Sequence, residues 1–226
     1  MYTAFHQAHL DGSPVLHPLW FKYPKDENTF DLEYQFFYGD SILVSPVTGD
    51  DATSVSIYLP QDIFYDFDTL SPVHGAGSFI TLGDVSFTTI PLHIKGGAVL
   101  PLRAQSGMTT TAVRKNDFEF IVAPDIQGEA FGTLYIDDGE SIAPASSTNV
   151  KLEFKDGKLD VWGDFGFSTG VNVSRVRFLG VGSQPNRVLV DGGDIYGSGY
   201  SYNSSTQVLD VEIGVPFVKD LCVQYL

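Results

Sequence analysis

The chain has 226 residues, 43% of them hydrophobic and 18% charged, with a formal net charge of -15 at pH 7. That apolar content is enough for one large or two modest cores and excludes an acidic disordered tail. The negative field repels a nucleic-acid backbone or an anionic membrane surface, and the 13 basic residues are scattered with only Arg114 and Lys115 adjacent, so neither partner is expected while neutral sugars stay open.

Met1, Phe5 and Ala8, with Tyr2 beside them, recur at helical spacing until Asp11-Gly12-Ser13-Pro14 stops the pattern. This predicts about two turns of helix over residues 1–10, too short to stand without a tertiary surface over its apolar side. The same residues lack the basic start and apolar stretch of a signal peptide, and no run of about 18 apolar residues spans a bilayer. Residues 15–24 are apolar at most positions, as in a strand buried on both faces, with Pro18 and Pro24 pointing to an edge.

After the polar turn at 25–28, helical periodicity fades and β-branched or aromatic runs alternate with Gly, Pro, Asn and Asp breakers. The clearest strands of a first set are 41–46, 53–59, 79–82, 86–90 and 97–101. A second set comprises 118–123, 131–136, 150–154, 158–162, 171–179, 187–190, 207–211 and 219–225. A polar, Thr-rich junction over 103–116 separates them. The fold class is therefore mainly β, with two antiparallel β-sandwiches. Asp156-Gly157 and Asp138-Gly139 signal tight turns.

Few residues point to chemistry. Asp137-Asp138-Gly139-Glu140 reads as a turn with solvated acids or, against that, as a cation or acid-pair site; no D-x-[DN]-x-[DN]-G loop completes a calcium site. His6 and His9 stand three apart, not four with Glu between, so no metal site is expected, and no phosphate-binding loop or serine elbow is present. No cofactor is expected. Cys222 is the only cysteine, which excludes an internal disulfide and a multi-thiol zinc site, and its apolar neighbours suggest a buried strand thiol. Among the aromatics, 64–67 and Trp162 read as core, whereas Tyr196, Tyr200 and Tyr202 lie among Gly and Ser and could face a sugar. Asn172 and Asn203 head N-x-S sequons and are candidate glycosylation sites.

Several segments, in order, resemble glycoside hydrolase family 31 α-glucosidases, with the fungal maltase type closest. They are residues 2–15 with Pro18-Leu19, Phe36-Phe37-Tyr38-Gly39-Asp40 continuing to Val47, Val55-Ser56-Ile57-Tyr58-Leu59-Pro60, Phe64-Tyr65-Asp66-Phe67, and the most specific, Ile90-Pro91-Leu92-His93-Ile94-Lys95-Gly96-Gly97-Ala98-Val99-Leu100-Pro101-Leu102; Leu134 to Glu140 follows. The resemblance is strong to about residue 140 and thereafter rests on the β-pattern. It implies the last helix of a (β/α)8 barrel over 1–17, a proximal sandwich over 18–104 and a distal sandwich over 105–226.

It further implies a retaining enzyme, secreted when complete, that releases terminal α-linked glucose from oligosaccharides with two barrel aspartates. Neither aspartate motif is in this chain. Val161-Trp162-Gly163-Asp164-Phe165 has Phe165 where the family's acid motif has Asn, so no catalytic role passes to Asp164, and His17 stands where the family commonly has Arg. The implied partner is the upstream barrel of the same enzyme, the chain being a truncated gene product in preference to a processed subunit, and it is expected to be inactive alone. The alternative is a free-standing β-sandwich that binds glycans or is purely structural.

Overall fold

The computed structural model describes residues 1–168 and 170–226. Its contacts divide them into two compact units, residues 3–96 with Met1 and residues 97–226 with Tyr2. Among the described residues the structure is mostly strand, and no helix is long and apolar enough to cross a membrane.

In the first unit the helix α1 (Tyr2–Asp11) ends at Gly12, whose φ of 76° is a left-handed cap that a side chain would resist. The strands are β1 (Leu16–Pro18), β2 (Phe36–Tyr38), β3 (Ile42–Val44), β4 (Val55–Leu59), β5 (Ile63–Asp66), β6 (Pro72–His74), β7 (Ser78–Leu82) and β8 (Leu92–Lys95). Six of them form an antiparallel sheet in the order β1-β2-β3-β8-β5-β6, while β4 and β7 pair as a ribbon. Phe37, Leu43 and Phe64 of the sheet and Ile57, Tyr58 and Leu59 of the ribbon share one core with Leu19, which makes the unit a sandwich.

Two expectations differ here. Residues 15–24 are not one strand: after β1 the chain turns into α2 (Leu19–Lys22) behind Pro18. A single helical turn can face the core with only one of three successive apolar residues, so Leu19 is fully buried while Trp20 and Phe21 stay 44% and 46% exposed. Residues 86–90 are a loop, closed locally by Thr89 N–H donating to Ser86 C=O, and Phe87 at its tip is fully exposed. Strand-like composition there lacks a neighbouring strand to pair with.

The second unit holds β9 (Ala98–Arg103), a short helix α3 (Thr110–Val113), β10 (Phe118–Ala123), β11 (Ala130–Ile136), β12 (Thr148–Lys155), β13 (Lys158–Phe165), β14 (Asn172–Phe178), β15 (Val188–Val190), β16 (Gly193–Ile195), β17 (Tyr200–Asn203), β18 (Val208–Pro216) and β19 (Leu221–Tyr225). They are hydrogen-bonded in the order β16-β15-β19-β13-β12-β11-β9-β10-β14-β18-β17. Laid flat, β12 and β14 would stand about 19 Å apart at the usual strand spacing. The rings of Phe154 on β12 and Phe178 on β14 are instead 5.5 Å apart, and Tyr225 on β19 lies 5.2 Å from Phe178. The sheet therefore folds over on itself and encloses its core between two layers.

The pairing is antiparallel except for β10 with β14 and a single bridge between β9 and β11. The chain leaves β10, builds β11 to β13 further along the sheet, and returns through β14 running the same way as β10, a crossover that an all-antiparallel reading does not contain. The division between units also falls earlier than the junction expected over 103–116. Gly96 N–H donates to Ile63 C=O and Gly97 N–H to Ala123 C=O, so adjacent amides serve different sheets, and β9 is already paired with β10 of the second unit. The hairpin between β12 and β13 turns on Asp156 and Gly157, at φ 50° and 76°, as the primed turn signalled by those residues requires.

Candidate functional site

The acidic motif at 137–140 is not a tight hairpin turn. It opens the loop joining β11 to β12, and Asp137 is 5% exposed, not solvated. Its carboxylate accepts from Tyr2 Oη at 2.6 Å, Tyr135 Oη at 2.9 Å and Gly139 N–H at 2.8 Å, and Arg114 donates to its carbonyl. Burial pushes its pKa up, but these bonds and the Arg114 charge outweigh burial and hold it below the usual carboxylate range. Burial, then Asp137, pushes the Tyr135 hydroxyl up to about 12. Asp138 accepts from Ser141 Oγ, Glu140 N–H and Ser141 N–H, which lowers it to about 2. Asp138 is occupied by its own loop and Asp137 by two tyrosine hydroxyls and a loop amide, which favours a structural role over an acid pair.

Other charged residues are similarly committed. Asp11 accepts from Ser13 and Gln7 and is held at about 2, closing the end of α1. His17 is buried, with Nδ1 3.7 Å from Asp40, and Lys22 pairs with the same carboxylate. On the second unit Arg175 and Arg177 bridge Asp210, Glu212 and Glu119 across three strands. Among the described residues no group of three His, Cys, Asp or Glu could hold a metal ion.

Phe64 and Tyr65 are core residues, whereas Trp162 is 42% exposed, contrary to its reading as core. It projects from β13 beside Lys151, whose Nζ lies 5.0 Å from its ring centroid, and lines a groove of about 270 Å³ with Glu153, Asp160, Asp191, Asp220 and Cys222. The alternation of β13 places Val161 in the core and Trp162 outside, a face that composition does not reveal. Three of the groove's four acids are also engaged: Asp191 accepts from Cys222 N–H at 2.9 Å, Asp220 from Gly163 N–H at 3.4 Å, and Asp160 pairs with Lys158 at 2.8 Å. Cys222 is partly exposed, not buried, and desolvation followed by Asp160 pushes its thiol pKa up, away from thiolate reactivity. Asp164 is exposed on β13, opposite Asn149. Tyr196 is 79% exposed, while Tyr200 and Tyr202 pack partly on the core.

The most extensive unassigned feature is apolar. No residue of α1 is buried; Phe5 and Leu10 are 56% and 63% exposed, and Met1 at the helix start is 73% exposed. Trp20 and Phe21 add two exposed rings, tilted at 55° with centroids 4.8 Å apart. Single exposed apolar residues are ordinary, but a ten-residue helix anchored through Tyr2 and with no buried side chain leaves its apolar side largely uncovered.

Residues 12–100 match the glycosyl hydrolase family 31 C-terminal domain, and the chain is a C-terminal portion of this family. It is 44% identical over 212 residues to the probable alpha/beta-glucosidase agdC of Neosartorya fischeri, covering 94% of this chain and 23% of that protein. It is 49% identical over 180 residues to the protein of the same description from Aspergillus fumigatus, covering 80% and 20% respectively. The fold matches a glucosidase II alpha subunit crystal structure at a TM-score of 0.83 and 25% identity, over 100% of this chain and 27% of that one. A Flavobacterium johnsoniae family 31 dextranase shares the fold at a TM-score of 0.77 and 22% identity, over 99% of this chain and 30% of that one. The chain thus spans only about a fifth to a quarter of the curated relatives it matches.

Proposed function

We propose that the chain is the supporting end of a retaining α-glucosidase that removes terminal, non-reducing α-linked glucose from oligosaccharides. In this reading residues 1–17 finish a catalytic (β/α)8 barrel, the rest of the first unit, to Gly96, and the second unit, from Gly97, are its proximal and distal sandwiches, and the barrel upstream carries the nucleophilic and acid/base aspartates. The complete enzyme is secreted, and the chain alone does not turn over substrate.

The observation that carries the reading is α1: ten residues, none buried, with Phe5 and Leu10 left open. Isolated helices shorter than about 12 residues are marginal in water, so this one fits a body that covers its apolar side. Retaining chemistry needs two carboxylates about 5 Å apart with one held protonated. The carboxylates described above are instead tied to loops, backbone amides and ion pairs.

The test compares the chain with the complete polypeptide on maltose and an aryl α-glucoside. Turnover by the complete polypeptide alone, with the α-anomer released first, is expected; turnover by the chain alone, or release of the β-anomer, would overturn the respective part. The half-exposed Trp162 over its groove is the one observation favouring a free-standing glycan-binding module. Saturable binding of maltose-type oligosaccharides by the folded chain, lost in Trp162→Ala, would promote that second reading.

A further inference from the structure

The two sequons stand in opposite structural settings. Asn172 opens β14, a strand enclosed between β10 and β18, and is half-buried beside the fully buried Val173. Its N–H donates to Asp117 Oδ1 at 2.9 Å, and the sequon hydroxyl, Ser174 Oγ, donates to Phe118 C=O at 3.1 Å, at the point where the β10–β14 register shifts. Both ends of this triplet are therefore built into the sheet.

Asn203 ends β17, the last strand in the order, and residues 203–205 are all exposed. Its Oδ1 accepts from Ser205 N–H at 3.0 Å, from Ser205 Oγ at 2.7 Å and from Thr206 N–H at 3.4 Å. This is an Asx-turn, with the sequon hydroxyl folded back on the amide oxygen. The oxygen is fixed to the turn, and among the described residues Nδ2 donates to no partner, so the nitrogen that would carry a sugar is the side-chain atom left for solvent.

We propose that Asn203, and not Asn172, is the N-glycosylated residue of this chain, and that its glycan shields the outer edge of the eleven-stranded sheet. The inference rests on the reading that the polypeptide enters the secretory pathway. The donor is a polyprenyl-diphosphate-linked oligosaccharide. The bond from sugar C1 to Asn203 Nδ2 forms as the bond from C1 to the diphosphate oxygen breaks, Nδ2 gives up one proton, and the lipid diphosphate departs. A bulky hydrophilic group at the end of β17 opposes pairing of that open edge with another chain, a hazard of unpaired strands. At Asn172 the same group would have to displace strand residues already bonded on both sides.

The complete polypeptide is secreted from a yeast behind a heterologous leader and, separately, behind its natural one. Each product is deglycosylated enzymatically in ¹⁸O water, so that an occupied Asn becomes labelled Asp in the mass spectrum. Label at Asn203 in most molecules and none at Asn172 is expected, with one glycan's mass lost in Asn203→Gln and none in Asn172→Gln. Label at Asn172, or an unlabelled Asn203 while other sequons of the same secreted product are labelled, would overturn the assignment. Cytosolic retention behind the natural leader alone would instead overturn the secretory reading, because the heterologous-leader product still reports which sequon is used. If edge shielding holds, the secreted Asn203→Gln protein aggregates faster than Asn172→Gln on mild heating; equal rates would overturn that part.

Discussion

If α1 waits for an upstream surface, Phe5→Ser has two different costs depending on what surrounds it. A phenylalanine buries about 200 Å² when fully enclosed, and Phe5 is 56% exposed, which leaves roughly 110 Å² open. At about 25 cal/mol per Å², covering that area contributes close to 3 kcal/mol, or about a hundredfold in an equilibrium constant. Phe and Ser have similar helix propensities, so the substitution alters the helix itself little. In the chain alone the change is expected to stay within about 0.5 kcal/mol, as for an exposed surface site. In the complete polypeptide it should lower the opening free energy of α1 by about 3 kcal/mol. Hydrogen exchange of the α1 amides reads both: near-unprotected in the chain alone, protected in the complete polypeptide, and less so in Phe5→Ser. Equal protection of α1 in the two settings, or an equal cost of the substitution in both, would refute the reasoning.

Gln35 is buried and stands in for a missing strand: its side chain accepts from Tyr58 N–H at 2.7 Å and donates to Tyr58 C=O at 3.2 Å and Ser45 Oγ at 3.0 Å. Gln35→Ala strands two buried backbone groups and should cost about 2–5 kcal/mol in the urea transition of the first unit, against about 1 kcal/mol for Ser45→Ala. His93 is 2% exposed, its Nδ1 has no hydrogen-bond partner among the described residues, and burial lowers its pKa below 6.5 despite the opposing charge of Asp66. The unfolded state then binds the proton first, so this contribution is present above pH 6.5 and is lost as pH falls through the folded-state value. The denaturation midpoint of the first unit should drop on acidification, and His93→Gln should flatten that slope. At Gly132 an added Cβ would meet Val99 O at 2.1 Å, so Gly132→Ala should cost about 2–3 kcal/mol in the second unit alone, while Gly193→Ala, whose nearest neighbour is Val190 O at 3.4 Å, should stay within about 0.5 kcal/mol.

Much of the fold is local and was legible as such. Strands with strict alternation, such as β12 with every second residue buried, and turns with a demanded conformation, such as Asp156-Gly157, follow from side-chain period and backbone sterics within a few residues. The family was legible because segments such as 90–102 are specific in themselves, and the match over residues 12–100 bears this out. Weak strands escaped: β2, β6 and β16 are three residues each, too short to show a period, and exist because neighbours supply their hydrogen bonds.

What sequence alone determined is the balance of apolar and polar positions along the chain, hence a mainly β protein, its Asp156-Gly157 turn and its family. Only tertiary structure decided that Trp162 faces outward, that Asp137 is buried, that β10 and β14 run parallel, and which of two identical sequon patterns is open. Those outcomes depend on what lies across the sheet from each residue, and a neighbour tens of residues away leaves no mark on the local pattern. The open α1 belongs to both levels: its apolar spacing is written in residues 1–10, but only the structure shows that none of its residues is fully buried.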